Sequence, residues 1–201
     1  LQFSWPSQFQ LIENLQEAFA ARDYMMIGAF FNSIMLTVSS VTLLVILGAM
    51  VGWIWQRRPG RIGKIVNVIV IAGLTLPPAV VPTIWVLQSL GLFKTMSGLI
   101  LVEIAFGLPF CIILFRAFVS TIPREIDEAA IVDGAGAIRL FFQVIFPMLR
   151  SVVITVIILQ AVTIYNDFEN PLYFLPGSGN ETVQTALFNF KSQFLTQYNL
   201  L

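Results

Sequence analysis

Pro123-Arg-Glu-Ile-Asp-Glu-Ala-Ala-Ile-Val-Asp-Gly134 is a charged, small-residue stretch set between two runs apolar enough to cross a bilayer. A simple connection between spanning helices does not need that composition. Pro123 suits the first turn of a helix, where its missing N–H has no partner to lose, and Thr121 is the candidate cap. Glu125, Asp127 and Glu128 fall early, where the helix dipole favours negative charge. Ile126, Ala129, Ala130 and Asp133 follow the i, i+3, i+4, i+7 pattern and predict one narrow face of small apolar residues edged by carboxylates. Gly134 and Gly136 supply the exit turn. At ~25 cal/mol per Å² such a face buries only a few kcal/mol, too little to exist mainly for core stability. It is expected to admit the close approach of a water-soluble partner's backbone, with the carboxylates offering charge-assisted bonds to arginine or lysine in a groove. The competing reading is a solvated loop helix that contacts nothing.

Working outward, no charge occurs from Tyr24 through Gln56, and Phe30 to Trp55 is predicted as a first spanning helix. Gln56 to Lys64 follows as a short loop with four cations and a Pro-Gly turn signal. Ile65 to Phe93 is again charge-free and predicts a second helix, which Pro77, Pro78 and Pro82 should kink or break. A third helix is expected from about Gly98 to Val119, interrupted by Gly107 and Pro109, and a fourth from about Met148 to Phe168, started by Pro147. Pro176-Gly-Ser-Gly-Asn180 reads as a loop, and Phe188 to Leu201 mixes polar and apolar residues in a way that does not span. With 57% hydrophobic and 11% charged residues among 201, the chain is excluded from ordinary soluble domains, whose charged fraction is about a quarter. The expected class is an all-α polytopic membrane protein with about four spanning helices visible.

Eight of the 11 Lys and Arg fall in or beside two loops: Arg57, Arg58, Arg61 and Lys64 in one, Arg116, Arg124, Arg139 and Arg150 in the other. By the positive-inside rule these loops face the cytoplasm. Residues 1–27 are then an extracytoplasmic lead-in, residues 28–201 the membrane domain, and residues 120–147 a cytoplasmic loop. The chain begins at Leu1 with a polar, amphipathic stretch, and is expected to be a fragment without a signal peptide.

The absence of histidine and the single Cys111 rule out His/Cys metal chemistry. Cys111, inside an apolar run, is expected to be a small buried hydrophobe. Gly60-Arg-Ile-Gly-Lys64 lacks the spacing and the Ser or Thr of a phosphate loop, and no nucleophile–base or carboxylate pair lies within the spans, so no catalysis is expected. Glu103 has two readings, a pathway or coupling residue inside the bundle or a carboxylate near the outer interface. The second is preferred, because Glu103 lies only nine residues beyond Lys94. Tyr165, Asn166 and Asp167, with Phe168, Glu169 and Asn170, mix acids, amides and aromatics in a manner that suits sugar hydroxyls and ring faces, and equally an ordinary membrane interface.

Glu128-Ala-Ala130, then Gly134, then Val144-Ile-Phe-Pro147 resembles the cytoplasmic signature of ATP-binding-cassette importer permeases: Glu-Ala-Ala, three residues, Gly, nine residues, Ile, any residue, Leu, Pro. Val144 and Phe146 depart from it conservatively. Arg57-Arg-Pro-Gly-Arg61, Leu76-Pro77, Leu90-Gly-Leu92, Leu108-Pro-Phe110, Ile122-Pro123, Asp133-Gly-Ala135 and Tyr165-Asn-Asp-Phe-Glu-Asn-Pro-Leu172 make the chain similar to the carbohydrate branch, the second permease subunit of maltose-type importers. The resemblance implies a type I ABC importer transmembrane domain, a MetI-like/MalG-like helical bundle, from which one spanning helix at each end is missing. It implies no ATPase chemistry in this chain, with ATP and Mg bound by a partner ATPase dimer. It further implies a second permease subunit, an extracytoplasmic solute-binding protein, a sugar substrate and residence in the lipid bilayer of a bacterial or archaeal cytoplasmic membrane; no nucleic acid partner is expected. Glu128 is implied to be an ion-pair partner of the ATPase, Ala129 and Ala130 close-approach contacts, and Gly134 the turn after the docking helix. Asp133 either caps the next segment or binds the partner. Alternatives are a permease for a non-sugar substrate and an ion-coupled secondary transporter whose site is the broken helix near Pro77 to Pro82.

Overall fold

The computed structural model describes residues 25–58, 60–177 and 179–193. Most of the expected lead-in segment, Pro59 of the turn signal and the last eight residues of the tail lie outside the described residues. All regular structure among the described residues is helical: α1 Met25–Arg57, α2 Arg61–Thr75, α3 Val80–Ser89, α4 Met96–Val119, α5 Arg124–Val132, α6 Ala137–Met148, α7 Arg150–Tyr165, α8 Glu169–Phe174 and α9 Val183–Gln193.

Helices α1 and α4 are each long and apolar enough to cross a membrane alone, and α6 with α7 reaches that length as one span bent by 79°. The expected second span is divided. Leu76 to Ala79, containing Pro77 and Pro78, separates the 15 residues of α2 from the 10 of α3, because two successive prolines remove donors and exclude the helical conformation before them. Pro82 is tolerated in the first turn of α3. Pro109, by contrast, sits inside a continuous α4, so the expected interruption of the third helix does not occur. Its ring lies where Gly73 of α2 leaves room: a Cβ at Gly73 would stand 2.7 Å from Pro109 Cγ.

The bend before α7 was not anticipated by the placement of Pro147 at a helix start. Leu140 to Ile145 form a π-helical turn within α6, and Pro147 follows two residues later. A widened turn is one way to relieve the carbonyl that proline cannot satisfy and its ring would strike. The chain then turns at Leu149.

Helix α1 is the spine. Its buried residues recur every three or four positions, from Ala29 and Ser33 through Leu44, Gly48 and Gly52 to Trp55. The opposite face exposes Phe31 (69%), Ile34 (54%) and Val38 (59%), an apolar exterior that only lipid or another protein can solvate. Gly48 and Gly52, four residues apart, bring α1 against α4: added Cβ atoms would lie 2.9 Å from Cys111 Cβ and 2.9 Å from the Arg116 nitrogen respectively. Small residues at this spacing allow backbone approach where hydrophobicity gives no preference for protein over lipid. Cys111 is fully buried in this contact, packed as the small hydrophobe expected. The remaining core joins Leu44, Leu99 and Phe115 to Phe141, Ile145 and Leu149. At the other end of α1, Ser33 Oγ accepts a hydrogen bond from Val183 N–H at 2.9 Å, and Asn32 Nδ2 donates to the Glu181 carbonyl at 3.1 Å, docking α9.

Candidate functional site

The loop helix α5 starts after Pro123, which occupies the N-cap position without a side-chain cap bond. Thr121 is not its cap; the Thr121 hydroxyl donates back to Phe118 O at 2.8 Å and closes α4 instead. The exit is a Schellman turn. Gly134 N–H donates to Ile131 O at 3.0 Å and Ala135 N–H to Ala130 O at 2.9 Å, with Gly134 at φ 82° in the left-handed region that glycine enters without cost.

Which face of α5 is covered differs from the expected pattern. Ile126 and Ala130 pack inward against the core, and between them Asp127 is buried at 8% exposure. Asp127 Oδ2 lies 2.7 Å from Arg57 Nη2, and Asp127 Oδ1 accepts from Trp53 Nε1 at 2.9 Å. Arg57 Nη2 also donates to the carbonyls of Ile122 and Pro123, at 3.0 and 3.4 Å. Trp53 in turn packs on Phe141 of α6, ring centroids 5.7 Å apart. The last turns of α1 therefore hold α5 by one ion pair and one hydrogen bond, both to Asp127, and hold the two residues before α5 by two more hydrogen bonds. Charge-assisted bonds in a partly desolvated setting are the strong ones, so α5 is clamped to the bundle along one side only. The other side is free: Glu128, Ala129, Asp133 and Gly134 are exposed, together with Ile131 (59%), Val132 (86%) and, on α6, Ile138 (74%). Asp133 makes no side-chain hydrogen bond among the described residues, and the Gly136 N-cap of α6 has no side-chain partner, so Asp133 caps nothing. The outward face is thus mixed, with aliphatic residues beside the expected glutamate and alanine.

Sequence reasoning missed Asp127, Arg57 and Trp53. A signal existed: Trp53 and Arg57 are four apart, so α1 ends in two donors on one face that demand an acceptor.

A second site lies toward the opposite end of α4. A cavity of about 420 Å³ is bordered by Glu103, Gln160, Asp167 and Asn170, with Pro78 from the α2–α3 break and Phe106. Glu103 is 6% exposed, enclosed by the bundle, and its Oε1 accepts from Asn170 Nδ2 at 3.2 Å. Asp167 Oδ1 accepts from the backbone N–H groups of Glu169 and Asn170, at 2.9 and 3.4 Å, and so starts α8 as well as facing the cavity. Gln160, 7% exposed, was not singled out from the sequence. Of the residues grouped from the sequence, Asp167, Glu169 and Asn170 line the cavity with Glu103, whereas Tyr165 and Asn166 turn away. Tyr165 packs with Ala29, Val183 and Ala186, and Asn166 Oδ1 accepts from Gln184 Nε2 at 3.2 Å.

Residues 44–198 match the family described as "Binding-protein-dependent transport system inner membrane component". The chain is 38% identical over 175 residues to the diacetylchitobiose uptake system permease protein NgcG of Streptomyces coelicolor, covering 85% of this chain and 56% of that protein. It is 32% identical over 166 residues to the melibiose/raffinose/stachyose import permease protein MelC of Bacillus subtilis, covering 81% and 60%. The chain thus spans little more than half the length of these relatives. Its fold is shared with a solved bacterial ABC transporter involved in the import of the acidic polysaccharide alginate: TM-score 0.79 at 20% identity, over 90% of this chain and 63% of that one. A bent and broken helical bundle with a clamped, outward-facing loop helix is thus set among transport proteins, and the chain belongs to the family of binding-protein-dependent transport system inner membrane components.

Proposed function

We propose that this chain belongs to a permease subunit that carries a sugar or oligosaccharide across a bacterial or archaeal cytoplasmic membrane, driven by a separate ATPase. The observation that carries this reading is α5: a helix fastened on one side by Arg57 and Trp53 and free on the other, at the end of the bundle where the cations gather. In this reading Glu128 pairs with a basic residue in a cleft of the ATPase, Ala129 admits its backbone, and Ile131, Val132 and Ile138 fill an apolar part of the same cleft. Ala130 serves from the other side, seating α5 on the core. ATP and its magnesium are held by the ATPase dimer, whose closure moves α5 and, through the clamp, α1. A second permease subunit and an extracytoplasmic binding protein complete the importer. Relatives named for oligosaccharide uptake support sugar over other solutes, and the cavity at Glu103, Gln160, Asp167 and Asn170 offers the acceptors and amide donors that hydroxyl groups require.

Reconstituting the complete importer in proteoliposomes tests this. Glu128→Lys should lower labelled oligosaccharide uptake roughly ten- to hundredfold while the subunit still inserts and ATP is still hydrolysed, since a charge-assisted contact is lost and a repulsive one gained. Gly134→Asp adds backbone strain of about 1–2 kcal/mol at the left-handed position and should uncouple likewise. Normal transport by Gly134→Asp would refute the docking role.

A further inference from the structure

One cavity is used by neither site above. It lies between the end of α1, the first turns of α2, the last turn of α4 and the first residue of α5, holds about 430 Å³, and is bordered by Lys64, Arg116 and Arg124 with Gln56, Asn67 and Trp55. Among the described residues no carboxylate lines it, and the ion pair found there, Arg57 with Asp127, neutralises none of its three cations. Arg116 is held in place: its Nε donates to Gln56 Oε1 at 3.1 Å, and its guanidinium stacks 3.7 Å over the Trp55 ring. Those contacts occupy one nitrogen and one face, which leaves the terminal nitrogens as donors. Three cations facing one space repel each other unless an anion sits among them.

The surroundings indicate what kind of anion. Val68 lines the cavity, and the outer surface of α2 beside it exposes Ile65 (59%), Val68 (66%) and Ile69 (64%). A cationic recess thus opens onto an apolar strip, at the end of the bundle that the positive-inside rule places in the cytoplasmic leaflet. The volume is far more than a single phosphate group fills. We propose that this cavity binds the headgroup of an anionic phospholipid from the cytoplasmic leaflet, its phosphate among Lys64, Arg116 and Arg124 and its acyl chains along α2. Basic recesses between helices on this side suit such headgroups, and each cation near the surface adds to their retention. Lipid binding needs only the bilayer and the sidedness of the cations, so it does not rest on the identity of the substrate, and it uses the first residue of α5, away from the exposed Glu128, Ala129 and Val132.

The test uses the complete importer, extracted from nanodiscs containing equal phosphatidylglycerol and phosphatidylcholine and measured by native mass spectrometry. Phosphatidylglycerol should be retained preferentially. In the double variant Lys64→Gln/Arg124→Gln its apparent affinity should fall roughly thirtyfold, with phosphatidylcholine unchanged, while Lys64→Arg/Arg124→Lys retains it. Equal retention by the wild type and the double glutamine variant would overturn the proposal. So would loss of the lipid preference on adding millimolar inorganic phosphate, which would assign the recess to a soluble anion. A photoreactive phosphatidylglycerol gives a readout on the wild type alone: adducts should map to α2 and the Arg116 region, and adducts confined to other surfaces would equally overturn it.

Discussion

Replacing Asp127 by asparagine should detach α5 from α1 well before it harms the rest of the bundle. The new amide would keep an oxygen for Trp53 Nε1, now 2.9 Å from Asp127 Oδ1, and nearly the same volume. It would lose the charge that stands 2.7 Å from Arg57 Nη2, in a pair whose side chains are 13% and 11% exposed. Orphaning one member of a buried pair costs about 3–5 kcal/mol. Here Arg57 retains the Ile122 and Pro123 carbonyls as acceptors, which reduces the expected cost to about 2–3 kcal/mol. If the amides of α5 exchange through local opening, that corresponds to roughly 30- to 150-fold faster exchange. Hydrogen exchange with mass spectrometry, on the permease without its ATPase, should show this over residues 124–135, with residues 36–50 of α1 as an unchanged internal reference. Arg57→Gln should act in the same direction. The double variant should be milder than the sum of the two, because neither charge is then left buried without its partner. Exchange over α5 within about twofold of wild type in Asp127→Asn, or strictly additive effects, would refute the clamp.

Other expectations address the bundle and the second site. Gly52→Val places a branched side chain against the α4 backbone, where even a Cβ would lie 2.9 Å from the Arg116 nitrogen and 3.1 Å from the Ile112 oxygen. It should cost about 1–3 kcal/mol, visible as a lowered Tm in detergent. Gly60→Ala, with nothing within 4 Å of an added Cβ, should leave Tm unchanged. Glu103→Gln keeps an oxygen for Asn170 and should raise the KM for uptake with little change in Tm if the cavity carries substrate. Asp167→Ala removes the acceptor for two backbone N–H groups, and should lower stability by about 1 kcal/mol whether or not sugar binds there.

Helix α1 was legible because a charge-free run of bilayer length has few alternatives, α4 because Glu103 and Arg116 are the two charges in an otherwise apolar run of that length, and the α2–α3 break because two adjacent prolines leave the backbone no regular path. Pro109 misled in the opposite sense. Whether a proline breaks a helix depends on whether a neighbour makes room for its ring, and Gly73, 36 positions earlier in the chain, is not visible as that neighbour until the helices are packed. The bend at Leu149 was hidden for a related reason: no turn residue marks it, and the π turn from Leu140 to Ile145 that precedes Pro147 has no signature in the sequence. For α5, helical periodicity located the helix but not its buried face. A rule that assigns alanine inward and aspartate outward fails where an arginine and a tryptophan on another helix supply the partners, as at Asp127. Tyr165 and Asn166 were grouped with Asp167 because they are adjacent in sequence, but successive residues at a helix end point in different directions, and of these three Asp167 alone lines the cavity.

The length of α1 has a mechanical consequence. Its 33 residues form a rod about 50 Å long, against a hydrocarbon core of roughly 30 Å. Tilting such a rod by about 5° about one end carries the other through about 4 Å, close to the rise of one helical turn. With Ser33 and Asn32 engaging the start of α9 near one end and Trp53 and Arg57 gripping α5 near the other, α1 has the contacts a lever would need. In the proposed importer, a small angular change at the α9 end would become a displacement of the loop helix large enough to change which residues it meets, and a push on the loop helix would return through the same arm.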